Sequence, residues 1–397
     1  MFAALLLLLP APHLAAAVHR EQPARPVQLS LKIPLKPLGF ADPPRFYLLS
    51  KLTFTSLDFI DRDHLLFTFH TRHLILRSPQ SRTSDEGEVI RAIVFDVNSG
   101  RQGATAEWRM YDHGAYLWPL SSGHFLLRKG DELFSGDTSL QLRQLASGEG
   151  KIVFVRLSPD RKVVLVERES PAQPANSAAG AANSSASPKS ATRGKLTILE
   201  VSTGNQLVTA EVSNPVDIPI LADGFFDTSP DQDSRYIDAR FVPFHGESRN
   251  LRRIESACPL IEEPLSGDAL LVIACSGNVG EHVAAAIAMN GRLLWQQRWP
   301  GNRLWPMFAT TESGTRFACS YLNVKQTSKQ QPELTPADIG SEPVTVYDTV
   351  SGQPLLTIAA FPLLGSEQNY AISPDGDRLA VLQDGNLQVY DLPAETQ

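Results

Sequence analysis

Basic residues are the minority charge in this chain. Lys and Arg number 36 against 43 Asp and Glu, a formal net charge of −7. Phosphate backbones are bound by clustered Lys and Arg, so nucleic acid is not an expected partner. Cysteine is scarce, with only Cys258, Cys275 and Cys319 in 397 residues, too few to declare a redox compartment by number. No apolar run after the N-terminus could span a bilayer. The G-x-S-x-G elbow of serine hydrolases is missing, and no cysteine lies beside a convincing histidine. What remains is 42% hydrophobic, ordinary for a folded soluble protein of one large or two ordinary domains.

The N-terminus differs from the rest. Phe2 to Pro12 is apolar, and Ala15-Ala16-Ala17 supplies the small-x-small pattern of a signal-peptidase site. No Lys or Arg precedes the apolar run. Residues 1–17 are read as a signal peptide, and the mature chain is expected to be exported to the periplasm or the extracellular space.

Short turns followed by apolar runs recur along the chain. "AISPDGDRLAVLQDGNLQVYDLP" (Ala371 to Pro393) reads as strand, turn, strand, turn, strand. In Ser373-Pro374-Asp375-Gly376, Pro presets φ, Asp bonds its own backbone and Gly accepts positive φ. Related turns stand at Asp61-Arg62-Asp63, Ser121-Ser122-Gly123, Ser158-Pro159-Asp160, Ser229-Pro230-Asp231, Ser266-Gly267-Asp268 and Ser313-Gly314. A second signature, strand then Gly turn then strand, appears in "VFDVNSGRQ", "ILEVSTGNQL", "IAMNGRLLW" and "VYDTVSGQPLL". All-strand repeats of this size predict four-stranded units closed into a ring, which buries the faces of each unit and leaves few edges.

"ISPDGDRLAV" and "LQVYDLP" resemble the WD40-like and YVTN-like β-propeller superfamily, and the resemblance extends over most of the mature chain. It implies an all-β fold, read here as a seven-bladed β-propeller in one domain over residues 18–397. The blades fall at about 46–110, 113–147, 151–212, 216–257, 258–301, 303–360 and 364–393. Residues Arg235 to Ile254 divide poorly into strands, and without that unit the ring has six blades. The last unit supplies only three strands. Val27 to Leu35, which alternates, is expected to close the ring as its fourth. The fold leaves function open, because propellers host many activities.

Strand direction selects a face. In an antiparallel blade with strands a to d, the a–b and c–d turns share one face, and the b–c and d–a loops share the other. Ser78 to Glu88, Glu169 to Gly194 and Gln326 to Glu342 are all read as b–c insertions. The middle one, 169–194, is Ala/Ser/Pro/Asn-rich and expected to be disordered. Functional groups concentrate on loops held by a rigid scaffold, so this face is the expected binding surface. "YLWPL" and "RLWPM" each open a strand a on that side. Tyr116, Trp118, Arg303 and Trp305 are therefore candidate binding residues, being types enriched in hot spots. Wedge packing between blades is the competing role.

Other chemistry is thinly represented. His70 and His73 point to opposite faces of a strand. Asp227 to Asp233 lacks the Gly and distal Glu of a calcium loop and is read as an a–b turn. Arg249 to Arg253 alternates with Leu251 as a solvated strand face. "AMNGRLLWQQRWPG" resembles the Gly-x-x-Leu-Trp step of quinoprotein-like propellers, in a single copy. No metal and no cofactor is expected. A hairpin centred between Ser266 and Gly267 sets Cys258 opposite Cys275, a candidate disulfide in an oxidising compartment; the competing state is two reduced thiols. The expected function is a non-catalytic, monomeric interaction module that binds a protein, or else a small molecule, on the insertion-bearing face. The alternatives are a channel enzyme (hydrolase, lyase or quinone-cofactor dehydrogenase) and a purely structural envelope protein.

Overall fold

A computed structural model describes residues 28–45, 48, 55–71, 88–110, 115–120, 122–146, 148, 150–169, 194–212, 217–230, 235–276, 281–325, 334–364 and 368–394. Segment 1–17, read as a signal peptide from sequence, Val27, and residues 78–87, 170–193 and 326–333 of the three insertions lie outside them.

Seven antiparallel sheets follow one another along the chain. After β1 (Gln28–Pro34) come β2 (Thr55–Phe59), β3 (His64–His70), β4 (Glu88–Asp96) and β5 (Gln102–Met110), which form blade 1. Blade 2 holds β6 (Leu117–Pro119), β7 (His124–Lys129), β8 (Glu132–Asp137) and β9 (Leu142–Ala146). Blade 3 holds β10 (Ile152–Leu157), β11 (Val163–Glu169), β12 (Gly194–Glu200) and β13 (Gln206–Val212). Blade 4 has three strands, β14 (Gly224–Pro230), β15 (Tyr236–Pro243) and β16 (Arg249–Glu255). Blade 5 comprises β17 (Ile261–Ser266), β18 (Ala269–Cys275), β19 (Glu281–Ala288) and β20 (Leu293–Pro300). Blade 6 comprises β21 (Arg303–Thr310), β22 (Arg316–Val324), β23 (Ile339–Asp348) and β24 (Pro354–Ala360). Blade 7 is β25 (Tyr370–Ile372), β26 (Arg378–Gln383) and β27 (Asn386–Asp391), and β1 pairs antiparallel with β27 as its outer strand. The chain is a seven-bladed β-propeller, closed by β1.

Each gap between blades is filled by its own apolar cluster, because each blade is apolar on both faces. Phe67, Phe69, Ile93 and Phe95 of blade 1 meet Leu382, Leu387 and Val389 of blade 7, with Ile33 of β1. Between blades 5 and 6, Trp295, Trp299, Phe317 and Tyr347 stack, with Phe317 and Tyr347 centroids 5.1 Å apart. Burying a side chain of this size is worth about 1.5–3 kcal/mol. The stack also demands a glycine. Gly352 has φ +68, and a Cβ there would lie 2.5 Å from the Trp295 ring.

Blade 4 departs from the expected grammar. Ser229-Pro230-Asp231 is not an a–b turn: β14 ends at Pro230 and is strand b. Asp227 to Pro230 therefore belongs to strand b, and residues 231–233 lie outside the described residues. The a strand is the short stretch through Ile220, bridged to Phe225, and the a–b turn is Ala222-Asp223. Gly224 permits the tight return, since a Cβ there would strike Phe241 and the Val242 carbonyl. Arg235 to Ile254 divides cleanly at Gly246, φ +106, so the ring keeps seven blades.

Arginines tie neighbouring blades on the a–b face. Arg316, 3% exposed, donates to the Gly376 and Pro393 carbonyls of blade 7 at 2.6 and 2.5 Å. Arg378 donates to the Asn98 side chain of blade 1 at 2.8 Å. Arg62 meets Asp375 at 2.9 Å, but its exposed side chain makes that pair worth little. The buried ties carry the energy.

Candidate functional site

The seven a strands surround a central channel of about 1040 Å³. Typical ligand sites are of roughly 300–1,000 Å³, so the channel has the capacity of one. Its lining runs from d–a loop residues at one end, including Ala115, Asp217, Leu260 and Gln368, to the a–b turn of blade 3 at the other. The first end opens on the face that carries the b–c insertions.

Arg161 lies across the opposite end. It leaves the Ser158-Pro159-Asp160 turn with φ +59, a left-handed conformation that costs a non-glycine residue about 1 kcal/mol. Its guanidinium donates to the Pro119 carbonyl of blade 2 and, at 3.4 Å, to the Thr310 carbonyl of blade 6. Glu312 of blade 6 stands 3.8 Å away. One side chain thus joins three blades across the ring and floors the channel. Burial lowers the Arg161 pKa, while Glu312 and Asp58 oppose that shift. Asp58 of blade 1 is 4% exposed and bonded by Ser56 at 2.5 Å. Burial pushes its carboxyl up to about 6 despite Ser56 and Arg161.

A second charged group occupies the walls of blades 3 to 5. Arg156 donates to Asp217 at 2.7 Å and to Glu263. Glu262 accepts from the Thr228 hydroxyl at 2.6 Å. Asp227 pairs with Arg240 at 2.5 Å. Burial pulls the Arg156 pKa down, but Glu263 and Asp217 together outweigh it and the net shift is upward. Glu263 is nonetheless raised by its own burial, with Arg156 opposing. The two shifts disagree only if the pair is taken as isolated. One cation shared by several carboxylates stays charged while the carboxylates are under-compensated. Glu262, raised by burial as well, belongs to the same group.

The four residues picked from sequence do not converge. Tyr116 and Trp118 line the channel wall of blade 2. Tyr116 is 2% exposed and its hydroxyl bonds Thr68, so it presents little surface. Trp118 packs partly into the gap between blades 2 and 3. Arg303 sits between blades 5 and 6, its guanidinium 4.1 Å from the Tyr321 ring centroid and 5.1 Å from that of Trp299. Trp305 joins Leu48, Leu322 and Ile339 in a separate apolar cluster. Neither Arg303 nor Trp305 lines the channel. Sequence reasoning missed Asp58, Arg156, Arg161, Glu262 and Glu263. The available signal was the "SPDR" turn, whose fourth residue is the floor.

Other singled-out residues have structural partners. His70 pairs with Glu88, while His73 lies outside the described residues. No metal-ligating cluster occurs among the described residues, and none of their helices is long and apolar enough to cross a membrane. Arg249, Arg252 and Arg253 are exposed on β16, with Arg253 over Tyr236 and Arg249 over Phe241. Cys258 and Cys275 are joined, Cα to Cα 5.6 Å, and Cys319 is free and buried. The hairpin register does not pair them, however. Ile261 faces Ile273 and Pro264 faces Leu270, a register shifted by one residue. Cys258 precedes β17, and the Ala257 N–H donates to the Cys275 carbonyl at 3.2 Å, bringing the thiols together outside the ladder.

No protein-family model matches the sequence, and no curated protein matches it. Solved structures do. The orthorhombic form of Pyrococcus horikoshii acylaminoacyl peptidase is 10% identical, with TM-score 0.51 over 84% of this chain and 49% of that one. Acylaminoacyl peptidase in complex with Z-Gly-Gly-Phe-chloromethyl ketone is 9% identical, with TM-score 0.51 over 89% and 53%. The β-propeller domain of the Trilobed protease from Pyrococcus furiosus is 9% identical, with TM-score 0.48 over 87% and 95%. At such identities the likeness concerns the fold alone. The chain spans about half the length of the two peptidases.

Proposed function

We propose that this propeller is an exported, non-catalytic binding module whose ligand enters the central channel from the insertion-bearing face. One observation carries the reading: the channel is floored by Arg161 at the a–b end and opens among the d–a loops at the other. A pocket that is blind on one side and held by rigid strands receives a ligand without reorganising, which lowers the cost of binding. The same a–b face is committed to ties between blades, through Arg316 and Arg378. The Cys258–Cys275 bond supports export, since such bonds persist in oxidising compartments.

Ligand-observed NMR of the folded chain against a fragment library tests the site. Val153, half-buried on the channel wall, is changed to Trp to fill it, and circular dichroism checks the fold. Binders to the wild type that Val153→Trp no longer holds support the channel. Binders held equally by both proteins remove it. A second reading, a channel enzyme, is favoured by Asp58, whose carboxyl at about 6 is poised to exchange a proton near neutral pH.

A further inference from the structure

The channel walls differ in character, and the difference predicts what enters. Across blades 3 to 5, Asp217, Asp227, Glu262 and Glu263 stand against two cations, Arg156 and Arg240. With all four carboxylates ionised, two guanidinium groups leave a formal surplus of two negative charges on that wall, Arg161 at the floor being matched by Glu312 and Asp58. Arg156 shows what the wall accepts: its fork is already gripped by Asp217 and Glu263 from two different blades. Glu262 is left over. Among the described residues its carboxylate accepts one hydrogen bond, from Thr228, and Arg156 reaches only its backbone carbonyl, at 3.4 Å. The rest of the lining includes the apolar and aromatic Trp118, Phe154, Met307 and Phe308, with Asp58, Arg128 and Arg161 on other parts of the wall and floor. The cavity makes this a site. The carboxylates set the sign of what it takes.

We propose that the channel binds a small organic cation, an ammonium or guanidinium head held by Glu262 and its neighbours on an apolar body that packs against the aromatic lining. This rests on the channel being the ligand site. An ion-paired head fits here better than a neutral one, because under-compensated carboxylates gain most from a second cation at low dielectric. Ammonium and guanidinium heads over Trp also gain from the ring quadrupole. Burial raises the pKa values of Glu262 and Glu263, so a bound cation must displace protons from them. Affinity should therefore climb as pH rises through the titration of these carboxyls.

Three probes of matched body separate the outcomes: 2-phenylethylamine, 2-phenylethanol and 3-phenylpropanoate, each titrated calorimetrically into the full chain, into Glu262→Gln and into Val153→Trp. The expected result is binding of the amine alone, weakened about tenfold by Glu262→Gln and abolished by Val153→Trp, the tenfold loss being about 1.4 kcal/mol. Binding of the alcohol or the propanoate as tightly as the amine, lost in Val153→Trp, keeps the channel and overturns the cation. Amine binding unchanged by Glu262→Gln overturns it too. Amine binding unchanged by Val153→Trp removes both readings. No binding of any probe overturns the cation inference and leaves the channel to the fragment screen.

Discussion

Glu342 should make this protein less stable as the solution becomes alkaline. It sits on β23, fully buried, between blades 6 and 7. Its Oε2 accepts from the Leu364 N–H at 2.9 Å and from Asn369 Nδ2 at 3.0 Å. Burial pushes its pKa up to about 8, and the bonds from Leu364 and Asn369 offset only part of that. In the unfolded chain the same group titrates near 4.5. Between those two values the native state holds a proton that the unfolded state has released. Stability therefore falls as pH rises, by about 1.4 kcal/mol per unit through the window. By pH 7 the loss is on the order of 3 kcal/mol, and it levels off above pH 8. Other raised carboxyls, Asp58, Glu262 and Glu263, titrate in the same direction. Glu342→Gln isolates this one, since the amide oxygen still accepts from Leu364 and Asn369 and cannot ionise. Nearby Tyr370 and Cys319 are both raised and remain neutral throughout. Urea unfolding at pH 5, 7 and 9 measures the difference. Relative to Glu342→Gln, the wild type should lose about 4 kcal/mol from pH 5 to pH 9. Parallel curves, separated by under about 1 kcal/mol at every pH, would refute the reasoning and place the carboxylate in contact with water.

Two further outcomes test the fold. Cys258→Ser with Cys275→Ser opens a loop with a sequence separation of 17, and urea unfolding should show a loss of about 3 kcal/mol; an unchanged midpoint would mean the bond constrains nothing. Gly352→Ala forces a Cβ at φ +68 to within 2.5 Å of the Trp295 ring, whereas Gly385→Ala, at φ +70, meets nothing within 4 Å. The second change should cost about 1 kcal/mol and the first about 2–3, with altered tryptophan fluorescence only in the first; equal costs would show that the Trp295 contact yields freely.

The fold was legible because its signals are local. Ser373 to Gly376 and Ser158 to Asp160 are turns whose residues set the backbone themselves, and Ser266 to Asp268 bends through Ser266 Oγ. Ring closure was legible because Gln28–Pro34 alternates and the last unit lacks a strand. Blade 4 misled because Ser229-Pro230-Asp231 has turn chemistry at the wrong end of a strand. Pro230 ends β14 rather than beginning a tight return, and the return is made by Ala222-Asp223 against Gly224. The cysteine pair shows the limit of counting. A one-residue shift between Pro264 and Ser266 moves the hairpin register, and it is the Ala257 bridge to Cys275 that aligns the thiols.

The channel charges were not legible, for a reason built into propellers. Each blade gives the channel chiefly its short inner strand and the turn after it, so Asp58, Arg161 and Glu312 meet from blades 1, 3 and 6 with no sequence pattern linking them. The pairs Tyr116–Trp118 and Arg303–Trp305 looked alike because both open a strand a. They diverge because β21 bulges between Leu304 and Met307, where Trp305 takes φ +49 and turns toward Leu322 and Ile339. In blade 2 there is no such bulge, and Trp118 stays at the channel wall. A single backbone irregularity therefore separates a channel residue from a packing residue. The channel lining is consequently asymmetric: acidic across blades 3 to 5, with Tyr116, Trp118 and Arg128 on blade 2, Asp58 on blade 1 and Arg161 at the floor.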